Sequence, residues 1–128
     1  MRTASLLAAA AGLVAASPAL ATSTIHCRSP ERGAPRLDLS VGTGPSAITQ
    51  ARLTDGAREL LTGQDAASPR ITQSWLDRQL LKLDLADSNV EHFIARLDTR
   101  KGRGVSFHGT LRYRDRTWRI SCRWDEDQ

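Results

Sequence analysis

Basic residues gather in one part of this 128-residue chain: from Arg96 to Arg123 there are nine, against only Asp98 and Asp115, a net of +7. All but Lys101 are arginines, whose planar guanidinium groups pair in forked fashion with carboxylates and phosphates. Elsewhere the balance reverses. Thr22 to Ala95 carries eight basic and nine acidic residues, and Asp125, Glu126 and Asp127 follow near the C-terminus. A field patterned in this way points to an anionic partner more directly than the overall net charge of +4 does. Arg112, Arg114, Arg119, Arg123 and His108 are therefore the candidate binding residues.

The other reactive side chains are few. Cys27 and Cys122 are the only cysteines and lie near opposite ends of the chain, with no CxxC spacing for redox or metal chemistry. Paired, they close a loop of about 95 residues, worth about 4 to 5 kcal/mol in the chain-entropy model. The histidines are His26, His92 and His108, and Glu91 precedes His92. His92 and His108 fall on strands expected to pair, with residue numbers summing to 200 or 202. That register makes the two imidazoles outer-face neighbours, close enough to share a transition metal or to repel when protonated, with Glu91 on the other face. Asp84 and Asp87 are the nearest approach to a general acid–base pair and read more simply as strand-edge and turn residues. The chain has no GxSxG, HExxH, P-loop or dinucleotide fingerprint, so the case for an enzyme is thin and neither cofactor nor resident metal is expected.

Residues 1–21 have the three parts of a secretory signal: Arg2, an apolar run from Leu6 to Ala16, and Ala19-Leu20-Ala21 as a cleavage site. An 11-residue run is well short of the roughly 20 that span a bilayer. No twin arginine or lipobox is present. The expectation is a leader cleaved after Ala21 and a single exported β domain over 22–128, periplasmic or extracellular, where a two-cysteine chain forms a disulfide.

In that domain apolar residues recur mostly at every second position: Leu37, Leu39, Val41; Leu81, Leu83, Leu85; Phe93, Ala95, Leu97; Val105, Phe107, Leu111, Tyr113; and Trp118, Ile120, Cys122, Trp124. Period two predicts half-buried strands. Gly42, Gly44 and Pro45, then Asp55-Gly56, Ser88-Asn89 and Thr99 to Gly104 supply turns. The chain is read as all-β, a small antiparallel sandwich or barrel of six to eight strands closed by one disulfide. Two segments compete with this pattern. Asp55 can cap a short helix through Leu61 that stops at Gly63, and Ser68-Pro69 can open another bearing Ile71, Trp75, Leu76 and Leu80 on one face. A hairpin over 68–80 is preferred, with an odd-length loop near Asp77-Arg78 that places Ile71 and Trp75 on the face of Leu81 to Leu85.

In the C-terminal hairpin the inward parity changes from odd to even, so paired residue numbers sum to an odd number. A turn at Asp115-Arg116 pairs Tyr113 with Trp118, Leu111 with Ile120, Gly109 with Cys122 and Phe107 with Trp124. Gly109 then leaves room for the disulfide. The same register sets Arg112 against Arg119 and His108 against Arg123 on the outer face, with Arg114 near the tip. Opposed like charges destabilise a sheet and call for an acidic neighbour or partner. Nucleic acid is not expected, because Phe107, Tyr113, Trp118 and Trp124 take the face opposite the arginines, and stacking needs both together.

A short exported, disulfide-closed β domain with a patterned charged face is similar in outline to bacterial periplasmic inhibitors of lysozymes and of metalloproteases. The likeness is one of architecture and transfers no site. It implies a non-catalytic exported binding module, an inhibitor among the possibilities, whose Arg-rich C-terminal face engages an acidic protein. The alternatives are an envelope accessory protein binding anionic polymer or lipid through that face, and a small secreted enzyme.

Overall fold

The computed structural model describes residues 23–43 and 48–125. The leader over 1–21, the turn residues Gly44 and Pro45, and Glu126 and Asp127 lie outside the described residues. Nine strands form one antiparallel sheet: β1 (Ser23–Arg28), β2 (Arg36–Val41), β3 (Ile48–Asp55), β4 (Arg58–Leu61), β5 (Arg70–Leu76), β6 (Leu80–Ala86), β7 (Phe93–Lys101), β8 (Ser106–Tyr113) and β9 (Arg116–Asp125). Their order is β4-β3-β2-β1-β9-β8-β7-β6-β5. The chain thus winds around a ring, each strand bonded to the next, with β9 returning to β1 and the ladder open only between β4 and β5. β3 and β5 touch across that opening, so the sheet curls into a half-barrel rather than splitting into a sandwich. Among the described residues no helix is long and apolar enough to cross a membrane.

The count exceeds six to eight because the segment from Asp55 to Leu61, which can be read as a short helix, forms the turn and second strand of the β3–β4 hairpin. Asp55 pairs with Arg58 around Gly56 and Ala57, with Gly56 at φ 60°, a conformation that favours glycine. β5 and β6 form the hairpin expected over 68–80.

Alternation does set the faces. Ile25, Leu37, Leu39, Leu53, Leu81, Leu83, Leu85, Leu97, Phe107, Leu111, Ile120 and both cysteines fill the interior at 2% exposure or less. Each buried Leu, Ile or Phe contributes roughly 1.5 to 3 kcal/mol through removal from water. Cys27 and Cys122 sit directly opposite one another on β1 and β9 and are bonded. Beside them Ile25 faces Trp124, whose indole N–H donates to Ser23 Oγ at 2.8 Å.

Register departs from expectation in three places. In the β8–β9 hairpin Tyr113 pairs with Arg116, Leu111 with Trp118, Gly109 with Ile120 and Phe107 with Cys122. The turn is Arg114-Asp115, both in the left-handed region at φ 53° and 58°, which matches the twist of a two-residue hairpin loop. Moving the turn back by one residue keeps the parity and shifts every pair by two. The opposition of Arg112 with Arg119 and of His108 with Arg123 therefore does not exist: Arg112 faces Thr117 and His108 faces Ser121. In the β7–β8 hairpin, paired numbers sum to 208 because β7 continues through Thr99 to Lys101. Thr99 reads as a turn residue but is buried inward, its hydroxyl donating to the Leu81 carbonyl at 2.8 Å. His108 consequently faces Arg100, and His92 lies outside that ladder, so the expected histidine pair is absent.

The third departure comes from bulges. Ile71 pairs with Leu85 but Gln73 with Asp84, which leaves Thr72 as an extra residue and reverses the parity beyond it. Trp75 is thereby turned outward to 57% exposure and Leu76 inward to 6%, whereas the odd-loop hairpin puts Trp75 inside. Likewise Leu85 pairs with Ala95 but Ala86 with Phe93, so Phe93 points out at 57% and Ile94 packs against the core. Val105, read as inward, falls in the turn before β8 and is 46% exposed.

Gly109 stands between Thr99 of β7 and Ile120 of β9 rather than beside Cys122. A Cβ there would overlap the Asp98 carbonyl oxygen and lie 2.8 Å from Thr99 Cα. The glycine accommodates the neighbouring strand, not the disulfide.

Two stability outcomes follow from this packing. Replacing both Cys27 and Cys122 with Ser should remove about 3 to 5 kcal/mol, read as a lower urea midpoint that no longer responds to reductant. Gly109→Ala should cost about 1 to 3 kcal/mol by overpacking against backbone that cannot give way, while Thr110→Ala beside it stays within about 0.5 kcal/mol. Equal urea midpoints for the two variants would contradict the close β7–β8 approach.

Candidate functional site

The outward turn of Trp75 and Phe93 builds the most developed surface feature, a groove over the outer face of β5 to β9. Its volume is about 1020 Å³, and its lining includes Gln73, Trp75, Lys82, Asp84, Arg96 and Arg112. A second hollow of about 320 Å³ adjoins it, sharing Thr72, Gln73, Asp84 and Arg96 and adding Val90 and Phe93. Trp75 stands at one side, its indole N–H donating to Asp77 Oδ2 at 2.8 Å. That bond, helped by the Gln79 and Leu80 backbone N–H groups, lowers the Asp77 pKa below its ordinary value. The indole is thus fixed in orientation although more than half of it is in solvent.

The groove floor holds a row of charges. Arg96 donates to Asp84 through Nε at 3.1 Å and through Nη2 at 3.4 Å, and its guanidinium lies 4.3 Å from the centre of the Phe93 ring. Lys82 is 3.7 Å from Asp98. Arg112 is directly opposite Arg96 on the neighbouring strand, and no carboxylate among the described residues comes within salt-bridge distance of it. An opposed like-charge pair is present, but it is Arg96 with Arg112 and not the expected Arg112 with Arg119. Asp84 neutralises only the first.

The remaining predicted residues spread over the same face and its margin. Arg119 faces Thr110, and its backbone N–H donates to Glu31 Oε2 at 2.7 Å. Arg123 lies between Ser106 and His26. His108 Nδ1 is 2.9 Å from Ser121 Oγ. Only Arg112 among these lines the groove. Sequence reasoning missed Trp75, Phe93 and Asp84 as groove residues, since bulges leave no mark in composition. The spacing of Phe93 and Arg96 within one strand gives no hint that the ring and guanidinium stack.

Arg114 belongs to the end of the half-barrel, where the β1–β2 loop, the end of β3 and the β8–β9 hairpin converge. There Arg32, Asp55, Tyr113, Arg114, Arg116 and Trp118 line a pocket of about 300 Å³. Tyr113 donates to Asp55 Oδ2 at 3.0 Å, and Arg114 is 3.7 Å from the same oxygen. Burial, and after it the Asp55 hydrogen bond and charge, raise the Tyr113 pKa above its ordinary value.

On β1 and β2, Asp38 Oδ1 is 2.8 Å from His26 Nδ1 and 2.9 Å from Arg28 Nη2. Burial raises the Asp38 pKa, but these two hydrogen bonds and the adjacent charges outweigh it and hold the carboxyl below its ordinary value. In the β6–β7 loop Asp87, Glu91 and His92 bring potential ligand atoms within 4.8 Å of one another. Glu91 thus lies beside His92, contrary to the expectation that it faces away. Asp87 Oδ1 already accepts the Glu91 and His92 backbone N–H groups at 2.7 and 3.4 Å, which organises the loop. Neither Asp84 nor Asp87 is placed as half of an acid–base pair: one is bound to Arg96 and the other to this loop.

Compared with family models, curated proteins and solved structures, the chain matches none.

Tyr113 supplies a pH test of the barrel end. Its raised pKa means that the bond to Asp55 contributes fully below about pH 10 and is lost as pH rises through the folded-state value. Tyr113→Phe should cost about 1 kcal/mol at neutral pH. Unfolding curves of the two proteins should converge as pH is raised above about 10, because only the native chain forms a tyrosinate beside a carboxylate. A gap independent of pH would show that the phenol does not depend on Asp55.

Proposed function

We propose that this chain is a non-catalytic exported binding module that grips an acidic segment of a protein partner in the outer groove of β5 to β9. One observation supports this above the others. Among the described residues four large apolar side chains are strongly exposed, and three gather here: Trp75 lines the groove whose floor carries the unneutralised Arg112, and Val90 and Phe93 line the hollow that adjoins it. Anchoring aromatics around a central arginine are the composition of protein-binding hot spots, and the surrounding polar rim of Thr, Gln and Asp is suited to excluding water. Arg112 lacks a counter-ion among the described residues and sits against Arg96, so an acidic group from a partner relieves repulsion as well as forming a pair. The disulfide accords with an oxidising, extracytoplasmic location, and an inhibitor is one form such a module takes.

A second reading has an observation of its own. Trp75 and Phe93 lie on the same face as the arginines, which removes the separation of faces that disfavours stacked anionic polymers, nucleic acid included. Export leaves an envelope polymer or lipid head group as the relevant form. Protein is preferred because Arg96 and Lys82 are already neutralised by Asp84 and Asp98, which leaves the groove far less basic than the linear sequence suggests.

A photoreactive residue at Gln73 should crosslink one partner in the native envelope fraction, while the same residue at Thr49 on the far side should not. With that partner purified, Trp75→Ala and Arg112→Gln should each weaken binding at least tenfold with little change in stability. Raising salt to about 0.5 M should weaken it only modestly, since a buried anchor survives screening that abolishes polymer binding. Unchanged affinity in both variants would reject the groove, and a steep salt dependence without partner preference would favour the polymer.

A further inference from the structure

The lining of the pocket at the end of the half-barrel includes a residue whose buried donor has no acceptor among the described residues. Trp118 is 7% exposed, and its indole N–H finds no acceptor among the described residues. A buried unpaired donor costs about 1 to 3 kcal/mol unless something else supplies the acceptor. The residues around Trp118 are suited to bringing one. Arg32, Arg114 and Arg116 line the same pocket, with Asp55 the one carboxylate in its lining.

These arginines are weakly engaged. Arg114 is 3.7 Å from Asp55, whose Oδ2 already accepts the Tyr113 hydroxyl. Arg116 is 4.0 Å from Glu31, whose other oxygen accepts the Arg119 backbone N–H. Arg32 has no carboxylate within salt-bridge distance among the described residues. Arg116 lies 3.8 Å over the Trp118 ring, so the guanidinium covers the indole from outside. The hairpin that carries Arg114 and Arg116 turns through two non-glycine residues with positive φ, a conformation that is retained at a cost.

We infer that this pocket is a carboxylate-binding site, receiving one Asp or Glu side chain of a protein between Arg32, Arg114 and Arg116, with the buried Trp118 indole N–H as a further donor reached once the Arg116 guanidinium turns off the ring and onto the carboxylate. The chemistry selects a single planar anion: forked guanidinium donors match a carboxylate, and about 300 Å³ admits a side chain rather than a folded surface. The lining carries three arginines against Asp55, so one carboxylate brings it nearer neutrality. The site is separate from the outer groove, although a shallow hollow lined by Phe93, Arg96, Arg112, Tyr113 and Arg114 runs between them. An acidic segment lying in the groove has a path to the barrel end.

The test uses the whole disulfide-bonded chain and defined probes. In ¹H–¹⁵N spectra Trp118→Phe identifies the Trp118 indole resonance. Titration to millimolar concentration with the blocked peptide acetyl-Gly-Glu-Gly-amide should move that resonance saturably downfield, while the Gln peptide leaves it in place. The double variant Arg32→Gln, Arg116→Gln should abolish the response; both side chains are surface-exposed, and the unshifted remainder of the spectrum reports that the fold is retained. No movement with the Glu peptide, equal movement with the Gln peptide, or tighter saturation by inorganic phosphate would each overturn the assignment. Crosslinking from Gln73 is unaffected by the double variant if the groove binds independently, so failure of the pocket and failure of the groove are told apart.

Discussion

The pairing of β1 with β9, locked by Cys27 and Cys122, is the constraint on which the rest of the structure depends. Without it the strands make two meanders, β1 to β4 and β5 to β9, joined only by the segment from Thr62 to Pro69. Each has a leucine-rich face and no partner layer to cover it, a state that few-stranded sheets do not survive alone. Joining the chain's two ends turns the meanders into one curled sheet whose faces cover each other. This ladder also joins the most sequence-distant strands described, 95 residues apart at the disulfide and more from there to Thr24 and Asp125, so its closure entropy is the largest. A covalent bond at that position removes the cost from the folding reaction itself. It secures the one ladder that no short turn can enforce.

The same distinction explains what is legible in the sequence. Alternation is written residue by residue, so the inward faces of β2, β6, β8 and β9 follow directly from Leu37 to Val41, Leu81 to Leu85, Phe107 to Tyr113 and Trp118 to Cys122. Disulfide pairing follows from there being only two cysteines. Register is a different quantity, because a shift of two residues preserves every face and is decided by which pair occupies the turn. Arg114 and Asp115 take the left-handed conformation although neither is glycine or asparagine, so turn composition points one residue too late. Thr99 is misread for a related reason. A polar residue can lie in the interior when a neighbouring strand offers a carbonyl, and only the assembled sheet shows that Leu81 does.

Charge shows the opposite relation between sequence and structure. The linear count isolates Arg96 to Arg123 as strongly basic, yet in the sheet Arg96 is held by Asp84 and Lys82 pairs with Asp98, while Glu31 and Asp55 approach the hairpin from the other half of the chain. The acidic neighbours expected from opposed arginines thus come mostly from sequence-distant strands. Among the described residues Arg100, Lys101, Arg103, Arg112, Arg119 and Arg123 have no carboxylate within salt-bridge distance, and of these only Arg112 lines the groove; Arg32 is likewise unpaired at the barrel end. Exposed ion pairs of this kind contribute little to stability, typically below about 1 kcal/mol. Their consequence is to leave one unpaired guanidinium in the groove, that of Arg112, and one in the barrel-end pocket, that of Arg32.

The two bulges connect these observations. Regular alternation through β5 and β7 turns Trp75 and Phe93 inward and leaves the outer face of β5 to β9 a plain field of charged and polar side chains. One extra residue at Thr72 and one at Ile94 reverse the parity on either side of β6, and both aromatics emerge flanking the Asp84–Arg96 pair. The exchange has a cost, since exposing a Trp and a Phe forgoes burial of about 1.5 to 3 kcal/mol each. Leu76 and Ile94 occupy the inner face in their place and keep the core filled. Bulges bend strands and re-aim side chains, and they persist because the surrounding ladders determine the register on both sides. The departures from the simple strand pattern therefore coincide with the surface that has the composition of a binding site.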